Sequence, residues 1–151
     1  MTNGAQGHAT QDTGTHQPWV ITLGELDEKL GVRVHEQSAE RVVASMPVAG
    51  NRQSLGRLHG GATLALAEAV GSWAAVIHAS TMGKSAVGVD VSATHHKSVR
   101  DGQVTATATA LSLGRTMTCH MVTVTDEDDR RLATVKITNY LLDTPVHNTA
   151  G

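Results

Sequence analysis

Between Gly60 and Ile77 the only formally charged side chain is Glu68, set in a run of Ala, Leu, Val and Gly. An ionised carboxylate among Leu64, Ala65, Ala67 and Val70 is unfavourable unless something compensates it, so the position asks for a chemical reason. At 3.6 residues per turn, Gly61, Ala65, Glu68 and Ser72 fall on one stripe of a helix. The carboxylate then shares its face with a glycine, an alanine and a hydroxyl, which leaves room for a substrate. Gly60 and Gly61 open the same helix, where unpaired backbone N–H groups and the positive end of the dipole favour a developing oxyanion. His59 stands just before them. The ordinary alternative is a lone Glu on a lateral face that reaches solvent or an Arg.

The elements that must carry these residues follow from periodicity. The run from Gly60 to Ile77 is apolar around nearly its whole circumference, which predicts a buried central helix. Residues 1–20 are read as a disordered tail, since Met1 to Gln17 is almost free of apolar residues. Thr22-Leu23-Gly24-Glu25 reads as a capping box opening a short helix that stops at Gly31. Val32–Glu36 and Arg41–Val48 alternate as strands joined by a hairpin. Ala86–Val99 places Val87, Val89 and Val91 on one face; Asp101-Gly102 is a turn, followed by strands over Val104–Leu113, Thr116–Thr125 and Leu132–Leu142. The last four strands are expected to form a meander, with Asp126 to Arg130 as a solvated hairpin tip. These elements predict an α+β fold: an antiparallel sheet of about six strands curled around one long helix, as a single domain over 21–142 with a tail over 143–151.

Composition narrows the class of function. The chain has 151 residues, 40% hydrophobic content and a net charge of −2, enough for one core and without the basic stripe that phosphate neutralisation needs. Aromatic residues make up 2% and Phe is absent, so platforms for stacking bases are missing and no nucleic-acid partner is expected. The single cysteine, Cys119, suits a reducing compartment, and no membrane span or signal pattern is read, so a cytoplasmic location is expected. Gly83-Lys84-Ser85 fails as a phosphate loop because His78 stands where its first glycine belongs. His8 and His16 lack partners at ligand spacing, and the adjacent His95 and His96 point to opposite faces of a strand, so no metal site is expected. There is no Gly-x-Ser-x-Gly elbow.

The segments Asn51-Arg52-Gln53, Gly56-Arg57-Leu58-His59-Gly60-Gly61-Ala62 and Leu66-Ala67-Glu68 resemble the hotdog-fold acyl-CoA thioesterases. The likeness extends over roughly Leu23 to Leu142. It points to the branch that holds the Arthrobacter-type 4-hydroxybenzoyl-CoA, phenylacetate-pathway and dihydroxynaphthoyl-CoA thioesterases. The resemblance implies a hotdog fold and hydrolysis of an acyl-CoA, with Glu68 as general base or nucleophile and the Gly60 N–H on the thioester carbonyl. His59 and Gln53 match positions lining the thioester, and Ser72 a polar position supplied by the neighbouring subunit. Lys97, Arg115 and Thr116, with Arg100, match the surroundings of the nucleotide, and strand ends are expected to gather them on one rim. The basic C-terminus of the Arthrobacter-type enzyme is missing. The resemblance further implies no cofactor beyond the coenzyme A of the substrate and a homodimer or homotetramer; the small residues Gly61, Ala65 and Ser72 leave room for a planar ring, so an aromatic acyl group is expected. Alternatives are a short or medium aliphatic acyl group, a non-catalytic acyl-CoA binder, or a hydratase-type hotdog protein.

Overall fold

The computed structural model describes residues 16–147. Eight elements follow in order: α1 (Glu25–Leu30), β1 (Arg33–Gln37), β2 (Arg41–Pro47), α2 (Gly60–Ser80), β3 (Ser85–His95), β4 (Gln103–Leu113), β5 (Met117–Thr125) and β6 (Arg131–Leu142). The six strands form one antiparallel sheet in the order β1-β2-β4-β5-β6-β3, and α2 packs into its inner face. This is the wrapped-helix arrangement that the patterns predicted.

Strand register shows why the helix fits. One row of directly paired residues across the sheet is Val42, Ala108, Val122, Val135 and Ala93; the next is Ala44, Ala106, Val124, Ala133 and His95. Apart from His95 at the sheet edge, small side chains fill both rows, so the helix comes close. On α2 the opposing side chains are Leu66, Ala67, Val70, Trp73, Ala74 and Ile77, all in the core. Gly71 marks the closest approach: a Cβ there would lie 2.2 Å from Ile137 Cγ2. The helix has 21 residues and a mean hydropathy of 1.3, long and apolar enough to cross a membrane, yet its core side lies under the sheet.

Several expectations are corrected. The last four strands are not a meander: only β4, β5 and β6 follow one another, while β3 pairs with β6 at the sheet edge and β4 pairs with β2. The segment holding Asp101 and Gly102 is therefore a crossover between distant strands. Val87, Val89 and Val91 do not share a face, because a bulge interrupts the register between Gly88 and Asp90. Val87 pairs with exposed Tyr140, whereas Val91 pairs with buried Ile137, so the extra residue reverses the alternation. Helix α1 is capped not at Thr22 but at Gly24, whose N–H donates to Asp27 Oδ2 at 2.8 Å, and it ends on left-handed Gly31 at φ 76°. Asp126 is not a solvated tip residue. It is 7% exposed and accepts from the backbone of Asp128 and Arg130 and from the Arg130 guanidinium. Burial alone would raise its pKa, but those hydrogen bonds outweigh it and hold the carboxyl below its ordinary range. The stretch assigned to the N-terminal tail is fastened at its end, where the Trp19 N–H donates to Ser80 Oγ at 2.8 Å. The first fifteen residues of that tail and the last four of the C-terminal one lie outside the described residues.

Two measurements follow from the core. Gly71→Ala forces a methyl against stiff, buried Ile137, and urea unfolding should show a loss of about 1–3 kcal/mol. His120 is fully buried, donates Nε2–H to the Ala39 carbonyl at 2.9 Å, and has its pKa pushed below the ordinary 6.5 mainly by desolvation, with nearby His78 adding to the shift. Below about 6.5 the unfolded chain takes up a proton that the folded chain refuses, so this group makes stability fall with decreasing pH and leaves it intact above that value. His120→Gln should flatten the denaturant-midpoint profile between about pH 7 and pH 5; an unchanged slope would refute the assignment.

Candidate active site

The start of α2 is built by hydrogen bonds around the loop from Asn51 to His59. Asn51 is buried, and its Nδ2 donates to the carbonyls of Leu30 and Pro47, both at 2.8 Å, joining the ends of α1 and β2. Its own carbonyl accepts from the His59 N–H at 2.9 Å, which sets where the helix begins. Arg52 ties the loop to the crossover through the Arg100 carbonyl and the Asp101 carboxylate, both at 2.9 Å. The Leu58 N–H donates to Val99 O at 2.9 Å.

His59 is the N-cap of α2. Its Nδ1 accepts from the Gly61 N–H at 2.8 Å, so the neutral ring carries its proton on Nε2. The N–H groups of Ala62 and Thr63 donate to the His59 carbonyl. Among the described residues this leaves the Gly60 N–H without an acceptor, at the positive end of a long helix.

Beside Gly60 lies a cavity of about 330 Å³, lined among others by Thr63, His95, Lys97, Val99 and Leu132. Sequence reasoning weighed His95 only as half of a metal pair and missed its place here. His95 belongs to the inner row of the sheet through its pairing with Ala133. Its ring lies so close that a Cβ on Gly60 would be 3.3 Å from His95 Nε2. His96 turns to the other face, within hydrogen-bond distance (2.8 Å) of Thr134 Oγ1. The available signal was strand alternation counted back from the helix, which needs the β3–β6 register to be known.

Glu68 and Ser72 form a second group further along α2. The stripe of Gly61, Ala65, Glu68 and Ser72 runs along the border of the sheet, with Ala65 and Ser72 half-buried, and Glu68 is exposed in the single chain and not walled by apolar groups as expected. The reason is geometric: the sheet embraces one side of α2, and the small residues of the stripe stop at its edge. A Cβ on Gly88 of β3 would lie 3.7 Å from Glu68 Oε1, 3.8 Å from Asn139 Nδ2 and 3.9 Å from Ser72 Oγ. Gly88 is thus the floor of a small niche with a carboxylate, an amide and a hydroxyl around it. The bulge of β3 is what turns Gly88 inward.

The remaining predicted residues are scattered. Gln53 is half-buried, and its Oε1 accepts from the Leu55 N–H inside the loop. Lys97 and Arg100 lie at the N-terminal end of α2, the latter with its guanidinium nitrogen 3.7 Å from where a Gly56 Cβ would be. Arg115 and Thr116 lie at the other end, where Lys84 Nζ donates to the Arg115 carbonyl and His78 Nε2 to that of Gly114. Most of α2, about 27 Å, separates the two pairs, so the expectation of one basic rim is not met within a chain. Among the described residues no three His, Cys, Asp or Glu side chains are grouped to hold a metal.

Residues 55–133 match the model of the Thioesterase superfamily. The chain belongs to that family. It is 45% identical over 118 residues to a Deinococcus radiodurans protein carrying an esterase name, covering 76% of this chain and 72% of that one. It is 36% identical over 122 residues to the proofreading thioesterase EntH of Cronobacter turicensis, covering 80% and 88%. Among solved structures, a thioesterase from Haemophilus influenzae superposes with a TM-score of 0.73 at 32% identity, over 81% of this chain and 85% of the other. A mutant thioesterase from Pseudomonas aeruginosa gives 0.74 at 34%, over 80% and 86%. The six-stranded sheet around α2 is thereby the hotdog thioesterase fold, and thioester hydrolysis is the class of reaction these neighbours share by name.

Proposed function

We propose that this protein hydrolyses an acyl-CoA thioester, with Glu68 activating water or attacking the carbonyl and the Gly60 N–H polarising the thioester oxygen. The observation that carries the reading is the pairing, on one helix, of a free N-terminal amide with an exposed carboxylate beside a glycine-floored niche. A CoA thiolate is a good leaving group, so little acid catalysis is asked of the protein. His95 and His59 Nε2 border the carbonyl end. Coenzyme A enters only as part of the substrate.

Gly60 and Glu68 are about 12 Å apart along α2, too far for one carbonyl to meet both within a chain. A second copy supplies the missing half in this reading. β3 is an eleven-residue edge strand with Val87 and Val89 exposed, the sort of edge that pairs with another strand. Antiparallel pairing of two β3 edges lays the two α2 helices side by side in opposite directions, so that Gly60 of one copy approaches Glu68 of the other. The same pairing draws the Lys97 and Arg100 end of one copy toward the Arg115 and Thr116 end of its partner, which gives the CoA phosphates cations from both. The dimer, or a tetramer of two such dimers, is the active species. The acyl group we assign is aromatic, because Gly61, Ala65 and Gly88 bring no side chain larger than a methyl to the surroundings of Glu68, which leaves room for a planar ring.

The test is a panel of benzoyl, hydroxybenzoyl, phenylacetyl, dihydroxynaphthoyl and aliphatic CoA thioesters, run with Glu68→Ala and with light scattering. We expect aromatic thioesters to be preferred about tenfold in kcat/KM, Glu68→Ala to lose at least about 10²-fold in kcat, and the active protein to be a dimer or larger. Unchanged turnover by Glu68→Ala, or a fully active monomer, would overturn the site.

A further inference from the structure

The inner positions of β6 are Ala133, Val135, Ile137, Asn139 and Leu141, and Asn139 alone is polar. It is completely buried, and its Oδ1 has no partner. An amide half-satisfied in the core is disfavoured relative to an aliphatic side chain of similar size, so packing does not explain its presence. Its side chain makes one hydrogen bond among the described residues: Nδ2 donates to Ser72 Oγ at 3.2 Å. A hydroxyl has one hydrogen and two lone pairs. With a lone pair occupied by Asn139, the Ser72 hydrogen is left for another acceptor, and Glu68 lies one turn earlier on the same stripe. All three side chains border the position that a Gly88 Cβ would take, at 3.7 to 3.9 Å. Gly88 and Asn139 are direct partners across β3 and β6, so strand register fixes the amide behind the niche.

We propose that Asn139 is a positioning residue for hydrolysis, acting through Ser72: its amide holds the Ser72 oxygen so that the hydroxyl hydrogen serves the Glu68 carboxylate or an oxygen bound in the niche. The inference rests on Glu68 being the catalytic carboxylate. In this role Asn139 acts only through the Ser72 hydroxyl, and its effect vanishes once the hydroxyl is gone.

The experiment is a mutant cycle on the full-length protein, using whichever panel thioester the wild type turns over fastest. Ser72→Ala and Asn139→Leu should each lower kcat about tenfold with KM within about twofold, and the double variant should be no slower than Ser72→Ala alone. Asn139→Asp keeps the size but offers an acceptor in place of the donor, drawing the Ser72 hydrogen away from Glu68, and should be as slow as Asn139→Leu. Additive losses in the double variant, or an Asn139→Asp enzyme with wild-type kcat, overturn the proposal. Ser72 is half-buried, and its removal leaves the Asn139 amide without a partner, so urea unfolding is run beside the kinetics; an unchanged kcat in Ser72→Ala sinks the inference, whatever happens to the Asn139 variants. Loss of hydrolysis in Glu68→Ala together with an unaffected Ser72→Ala removes this inference alone, whereas an active Glu68→Ala removes the functional reading beneath it.

Discussion

The structure depends on how near α2 lies to the sheet. Gly71 opposite Ile137, and rows of Ala and Val on the strands, let the helix settle into the inner face, where Trp73 is the bulky ring that the helix itself contributes. Interiors are packed densely enough that this spacing fixes the rotation of the helix about its axis. The rotation decides everything else: which stripe stays outside the sheet, where the first-turn amides point, and which strand the carboxylate neighbours.

At its N-terminus the helix leaves one first-turn donor, the Gly60 N–H, without an acceptor among the described residues. His59 takes the Gly61 N–H, and the loop is braced by Asn51 and Arg52, so the backbone is held firmly while the Gly60 N–H is spared. A donor fixed by its surroundings needs no reorganisation when charge develops on a bound carbonyl, which is the property electrostatic stabilisation of a transition state requires. The ring of His95 also lies close against Gly60, so that a side chain there would press on it.

The two polar groups along α2 answer to different strands. Gly60 faces the end of β3, where His95 closes the cavity, while Glu68 and Ser72 face its beginning, past the bulge, where Gly88 lies against Asn139. Bulges concentrate at sheet edges and beside functional sites because one inserted residue re-aims everything after it. Here the insertion is what permits one strand to offer a valine to the outside at position 87 and a histidine to the inside at position 95.

Much of this was legible in the sequence. Helical and strand periodicities, the glycine-histidine opening of α2, and the stripe of Gly61, Ala65, Glu68 and Ser72 depend on neighbours close in the chain, and local spacing records them faithfully. Strand partners do not leave such a record. β3 and β4 are consecutive, yet they pair with β6 and β2, because the order of strands is settled by which faces can be buried together around the helix. The inward turn of Gly88, the place of His95 beside Gly60, the amide of Asn139 behind Ser72 and the burial of Asp126 all follow from that pairing or from a bulge within it. Such contacts join residues distant in sequence, and only the folded chain brings their side chains within reach of one another.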